Sequence, residues 1–443
     1  MVARMAMTGA LAALLLLADP AGAATTVTGD LARRADLGFR VSGEDGRLAV
    51  TEVTEGSAAA KAGLRKGDVL AAVGGAAFAR PHEGQALLQR LRGGDRTVLS
   101  VRRGDRAAEI RFTPAPAPLE EAADLDVEYG VVRTSDGAAL RTILSRPAGA
   151  PGRLPALMLA QWVSCGPLDG KSASVEQLRQ LARRAGMALV RVERAGSGDS
   201  LGPACHELDY DTEVRHYREA LDALAAHPWI DASRLVIYGS SLGATTAPFL
   251  AEGRRVAGIM VQGGGAVTYA ERMIGFDRFY LERTGVAPAE IDRRMRDGIA
   301  FHTEYLIRGK SPERIAAEHP ELAGVWRTLR GTGDGVHYGR PYAWHQQAAR
   351  RNFLEAWSRV EAPVLVFYGA YDQFETRHGH ALIAAAVNAR RPGSATLVEV
   401  AQGDHELELY PNAEDAYAYR HGQAAPELFL QPAVRWLKQV TGG

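Results

Sequence analysis

"RLVIYGSSLGATTAPFL", residues 234–250, runs an apolar strand into a glycine–serine cluster and then into a helical pattern. Taken alone, the Gly-x-Ser-x-Gly spacing of Gly239, Ser241 and Gly243 is a weak signal that an ordinary strand-to-helix connection also produces. Its setting sharpens it. A strand over 235–238 leads straight in, and a helix over 244–251 leads straight out. Glycines at both ends of the turn remove side chains where the backbone would clash. The middle residue, Ser241, then stands at the top of a sheet with its hydroxyl free to act as a nucleophile.

Working outward, strands and helices alternate through the C-terminal two-thirds of the chain. "VEYGVVRTSDGAALRTILSRP" reads as two antiparallel strands turning at Asp136-Gly137. "LPALMLAQW", "MALVRVER", "RLVIYGS", "VAGIMVQGGG", "PVLVFYGAYD" and "ATLVEV" read as strands with amphipathic helices between them. Continuous apolar strands alternating with helices predict an α/β fold with a mostly parallel sheet covered on both faces. The ligand crevice then lies at the strands' carboxyl ends. Residues 266 to about 345 break the rhythm. They show helical runs without a strand pattern, too long for a bare loop, and read as a helical lid over the crevice.

A serine nucleophile needs a base, and the base needs an orienting acid. In this architecture the expected chain order is Ser, Asp or Glu, His. Asp372 ends "PVLVFYGAYD" and His405 follows "TLVEVAQGD", both on the rim that carries Ser241. The eleven other histidines lack this placement. "HGH" (378–380) has no cysteine or carboxylate cluster to complete a metal site, so no metal and no cofactor are expected.

On these residues, the stretch from 127 to about 440 resembles the α/β-hydrolases, especially exported esterase-like and prolyl-peptidase-like members. "VERAGSGDS" (192–200) resembles the Asp-x-Gly-x-Gly-x-Ser loop after their fourth strand. The resemblance implies Ser241 as nucleophile, His405 as general base and acid, and Asp372 as the residue orienting His405. It also implies an oxyanion hole made by the backbone N–H of Leu242 and a second N–H from the loop after "LPALMLA". There family members usually carry His-Gly. This chain has Gln161-Trp162-Val163, so Trp162 or Val163 supplies the donor. Cys165 and Cys205 follow strands that are neighbours in this fold, which favours a disulfide over two free thiols.

The N-terminal third reads differently. "MVARMAMTGALAALLLLADPAGA" has Arg4, an apolar run and a small-residue site ending at Ala23, as in a secretory leader over residues 1–23. The run is short of the ~20 residues that span a bilayer. The protein is therefore expected to be exported, periplasmic or secreted, without a membrane span in its mature form. Residues 30–113, and "EGSAAAKAGLRKGDVLAAVGG" above all, resemble the PDZ domains of bacterial periplasmic serine proteases. The resemblance implies that backbone at Leu37, Gly38 and Phe39 receives a peptide's C-terminal carboxylate while the peptide adds to a sheet edge. "TPAPAPLEEAADLD" reads as a linker over 114–126, leaving 127–443 for the hydrolase domain with its lid. Lys+Arg and Asp+Glu both total 52, so no long-range field draws nucleic acid.

Three functions remain open at this level. The first is a serine hydrolase acting on a small ester or amide through an acyl-enzyme. The second is a serine peptidase to which the PDZ module brings a chain end. The third is a non-catalytic scaffold in which the PDZ module binds peptide and the hydrolase fold is inert.

Overall fold

The computed structural model describes residues 30–44, 46–170, 172–329, 331–333 and 335–442. The expected leader, residues 1–23, lies outside them. Eight strands form the large sheet: β1 (Leu125–Arg133), β2 (Ala139–Pro147), β3 (Leu154–Ala160), β4 (Ala188–Val192), β5 (Ile230–Ser240), β6 (Gly258–Gln262), β7 (Val364–Gly369) and β8 (Ala395–Val400). Their order is β8-β7-β6-β5-β3-β4-β2-β1. β2 runs antiparallel to both neighbours, and from β4 to β8 every pairing is parallel. The order reverses at β3, which lies between β4 and β5, and this opens the crevice at the carboxyl ends.

The strands are apolar throughout because both faces are covered. Ala156, Met158 and Ala160 of β3 enter one core with Leu235, Ile237, Ile259 and Val364. The alternate residues Leu157 and Leu159 enter the other with Val236, Tyr238, Met260 and Phe367. Helices close these faces where local chemistry allows them to start. Ser172 caps Ala173–Ala185 by accepting from Val175 N–H, and Asp209 caps Tyr210–Ala225 by accepting from Thr212 N–H.

Between β6 and β7 lies the predicted helical block, led by Tyr269–Arg283 and Pro288–His302. It differs from expectation in one respect. Three short strands, Thr332–Gly333, Val336–His337 and Arg340–Pro341, form a small antiparallel sheet within it. Each is two residues long, too short to leave a period-two pattern in the sequence.

The N-terminal unit is an antiparallel sheet in the order Phe39–Glu44, Arg47–Val53, Val69–Val73, Thr97–Arg103, Arg106–Phe112, with Ala76–Ala77 paired to Val69–Val73 and the helix Pro81–Arg90 packed against it. Its core is its own, built on Leu48, Val50, Leu99 and Val101.

The connecting stretch read as a linker is anchored at its two ends and at Glu120, with exposed residues between. Ala115–Pro116 pairs with Ala35–Asp36, and β1 already begins at Leu125. Glu120 meets Arg179 and Arg191, each at 2.6 Å. A low apolar content hides such a segment, because ion pairs rather than apolar contacts hold it. The loop 192–200 completes the junction. Asp199, fully buried, accepts from Arg141 Nε at 3.0 Å and from Arg34 N–H at 2.8 Å, and pairs with Arg33. Glu193 holds that loop's shape, accepting from the N–H groups of Asp199 and Leu168.

Candidate active site

The turn after β5 has the geometry its sequence implied. Ser241 sits at φ 52°, ψ −115°, a region that non-glycine residues rarely occupy. Its N–H donates to the Gln262 carbonyl at 2.8 Å, and its carbonyl accepts from Ala244 N–H at 2.9 Å. Both flanking glycines are needed for space. A Cβ on Gly239 would lie 2.6 Å from the Gly243 carbonyl oxygen, and one on Gly243 would run into the Ala160 carbonyl oxygen. The strain is local and the surrounding contacts fix it.

Three loops past the strands' carboxyl ends meet at this turn. His405 Nε2 lies 2.9 Å from Ser241 Oγ, and His405 Nδ1 lies 2.8 Å from Asp372 Oδ2. The other carboxylate oxygen of Asp372 accepts from Phe374 N–H at 2.7 Å and Glu375 N–H at 2.9 Å. Asp372 therefore faces His405 with a fixed lone pair. The imidazole keeps its proton on Nδ1 and offers Nε2 to the hydroxyl. Gln262 Nε2 donates to the His405 carbonyl at 2.9 Å, and the Phe374 ring stands 4.9 Å from the imidazole, edge to face.

The electrostatics follow from this packing. Burial alone would raise the Asp372 carboxyl, but the charge and hydrogen bond of His405 outweigh it and hold the group below its ordinary value. Burial alone would lower His405, but the charge and hydrogen bond of Asp372, with Glu375 beyond, hold the imidazole above its ordinary value. Glu375 is itself pushed up to about 7, chiefly by burial and then by Asp372, with Arg272 opposing.

The cleft above is a cavity of about 590 Å³. Trp162, Val163 and Leu242, expected around the oxyanion, line it together with Ser241 and His405. Their loop is held from below. The Gln161 side chain donates to the carbonyls of Ser164 and Gly166, and the Gln161 backbone carbonyl accepts from Arg194 at 2.8 Å. Cys165 and Cys205 form a disulfide with Cα atoms 5.9 Å apart, tying the loops after β3 and β4. The helical block supplies the facing wall through Tyr269, Arg272, Phe276, Arg340 and Trp344.

Arg272, Arg340 and Glu375 were not among the expected site residues. One signal for Arg272 was present. It stands on the apolar stripe Tyr269, Met273, Phe276 of its helix, where a charge has no reason to be unless it faces a polar site. Arg340 gave no such signal, since its partners come from distant segments.

In the N-terminal unit, Gly38 lies at φ 67° just before the strand Phe39–Glu44, which is paired on one side only among the described residues. Gly38 N–H donates to the Asp36 carboxylate at 3.2 Å, and its carbonyl accepts from Thr54 N–H. Phe39 is buried in this unit's core, with Leu37 packed beside it.

Comparison with known proteins agrees with both units. A PDZ domain model matches residues 35–113. The polyketide transferase ATR5 of Stachybotrys chlorohalonatus is 31% identical over 119 residues, 27% of this chain and 37% of that protein, so the chain spans about a third of that relative's length. Among solved structures, Est1E of Butyrivibrio proteoclasticus with ferulic acid bound is similar at 14% identity and TM-score 0.46, over 71% of this chain and 100% of that one. The α/β hydrolase GrgF from Penicillium sp. sh18 is similar at 14% identity and TM-score 0.44, over 72% and 100%. The model of the alpha/beta hydrolase family matches residues 161–418, more than half of the sequence, and the chain belongs to that family.

Proposed function

We propose that this protein is an exported serine hydrolase that cleaves an ester, or an amide, through an acyl-enzyme. Ser241 Oγ attacks the carbonyl carbon while His405 Nε2 takes the hydroxyl proton. Asp372 stabilises the imidazolium that forms. The carbonyl oxygen becomes an oxyanion and accepts from the backbone N–H of Leu242 and of Trp162 or Val163. His405 then protonates the leaving group, and the acyl group remains on Ser241. Water attacks that ester with His405 again as base, releasing the acid and restoring the serine.

The observation that carries this reading is the continuous contact from Ser241 Oγ through His405 to Asp372, at 2.9 and 2.8 Å, opening into a cavity. Export is supported by the disulfide, which suits an oxidising compartment, and by the leader pattern. The helical block acts as the lid. The test is turnover of short-chain p-nitrophenyl esters and of peptide anilides by residues 24–443 and by its Ser241→Ala variant. Ester cleavage lost in the variant supports the reading, and equal turnover by both proteins contradicts it.

One observation favours peptide recruitment as a second reading. The edge strand Phe39–Glu44 is free on one side among the described residues, as strand addition at Leu37, Gly38 and Phe39 requires. Faster cleavage of anilides than of esters, sensitive to an added C-terminal peptide, would establish it.

A further inference from the structure

Three buried arginines beside the cavity, Arg194, Arg340 and Arg272, share two carboxylates, Glu213 and Glu375. Glu213 is buried and lies between two guanidiniums, with Arg194 Nε at 2.7 Å from one oxygen and Arg340 Nη2 at 3.3 Å from the other. Among the described residues neither arginine meets a second carboxylate. Arg194 is fully used. Its remaining nitrogens donate to the carbonyls of Ser164 and Gln161, both at 2.8 Å.

Arg340 is not. Nη1 donates to the Cys205 carbonyl and sulfur and Nη2 is ion-paired with Glu213, but Nε is buried without a partner, and the same Glu213 oxygen also accepts from Trp344 Nε1 at 3.1 Å. Arg340 is fully buried and borders the cavity from behind its wall. Burial and the nearby Arg194 draw its pKa down to about 10, against Glu213, so it stays charged at neutral pH.

Arg272, on the same wall, repeats the pattern. Its side chain is 5% exposed, its Nε pairs with Glu375, and its Nη1 is buried without an acceptor. The guanidinium lies over the Phe276 ring, and its partner Glu375 donates its backbone N–H to Asp372, which links Arg272 to the site through one residue. Leaving buried donors unmet costs about 1–3 kcal/mol each, and an uncompensated buried charge costs more. Water could satisfy the donors but not the charge. The acids on the cavity wall, Glu176, Glu406 and Glu408, are solvent-exposed, where screening weakens them.

We infer that the substrate carries a carboxylate, which Arg272 receives on the lid side, with the charge of Arg340 buried behind it, while its scissile carbonyl sits at Ser241. This rests on the hydrolase reading above and narrows it to one substrate class. Uncharged acyl esters are then poor surrogates.

Two matched pairs of esters test it. Mono-p-nitrophenyl glutarate against its methyl ester places the charge on the acyl side. 4-Butyryloxybenzoate against 4-butyryloxybenzamide places it on the leaving group. The wild type should favour the anionic member of at least one pair by about tenfold or more in kcat/KM. Arg340→Gln or Arg272→Gln should cut that preference to near unity, whatever either does to the absolute rates. A wild type that favours neither anion, or a preference that survives in both variants, overturns the inference while turnover itself upholds the hydrolase reading. The same four compounds are titrated calorimetrically into Ser241→Ala. Charge-selective binding there, with no turnover by the wild type, would support the carboxylate site and sink the acyl-transfer chemistry. Neither binding nor turnover would overturn both.

Discussion

The floor and the roof of the cavity are built by opposite rules. On the floor, past the ends of β5, β7 and β8, the proposed reacting groups are partnered. Asp372 accepts three hydrogen bonds, His405 uses both ring nitrogens, and Ser241 is locked by its backbone. On the roof, Arg340 and Arg272 hold buried nitrogens with nothing to donate to. A satisfied floor is already arranged for chemistry, which lowers the reorganisation needed at the transition state. On the inference above, the unsatisfied roof awaits a ligand that brings the missing acceptors. The difference separates what the site does from what it selects.

The sharpest way to break this comparison is to remove the floor's central atom. Ser241→Ala should lower ester turnover by about ten-thousand-fold or more, read by kcat at saturating substrate, with the fold intact by circular dichroism. A fall of only about tenfold would mean the floor is not where bonds break.

Asp372→Asn should follow, with a loss of about a thousand-fold or more, because the imidazole loses the acceptor that fixes its tautomer. The pH profile adds a second reading. On the proposed mechanism His405 acts as base only when unprotonated, and the carboxylates of Asp372 and Glu375 hold it above the ordinary 6.5 against burial. In the wild type kcat/KM should therefore rise with pH along a limb centred above 6.5, and in Asp372→Asn that limb should move to lower pH. An unmoved limb would assign it to another group.

The bridge between Cys165 and Cys205 joins the floor loops to the roof, since Cys205 accepts from Arg340. It closes a loop of 40 residues. The double change to serine should cost about 2–4 kcal/mol of stability in denaturant unfolding. The smallest effect sharpens the comparison most. Arg194→Gln should destabilise the free protein by about 1–3 kcal/mol more than Arg340→Gln, because every nitrogen of Arg194 has a hydrogen-bond acceptor, whereas Arg340 Nε has none and its Nη2 has only the ion pair with Glu213. Equal losses would mean the roof is as settled as the floor.

The same division explains what could be read from the residues alone. The convergence of the floor's three side chains was legible because each sits at a strand end, and strands declare themselves by apolar runs. Ser241, Asp372 and His405 each follow such a run, in the order the architecture dictates. The sheet was legible for the same reason. The roof was not. Arg340 is placed by a two-residue strand and by Glu213, 127 residues earlier in the chain, and no periodicity reports such a contact. The stretch 114–126 was opaque for a related reason. Glu120 anchors it through arginines of a helix and of β4, which composition cannot connect. Trp162 in place of the usual glycine was visible, and the structure puts its residue on the cavity wall.

The most direct measurement is reaction of the folded protein with a fluorophosphonate, followed by mass spectrometry of its peptides. An activated Ser241 should carry one phosphonyl adduct, formed within minutes, slowed on protonation of His405 and absent in Ser241→Ala. A protein that stays unmodified, or an adduct on any other residue, would contradict the account.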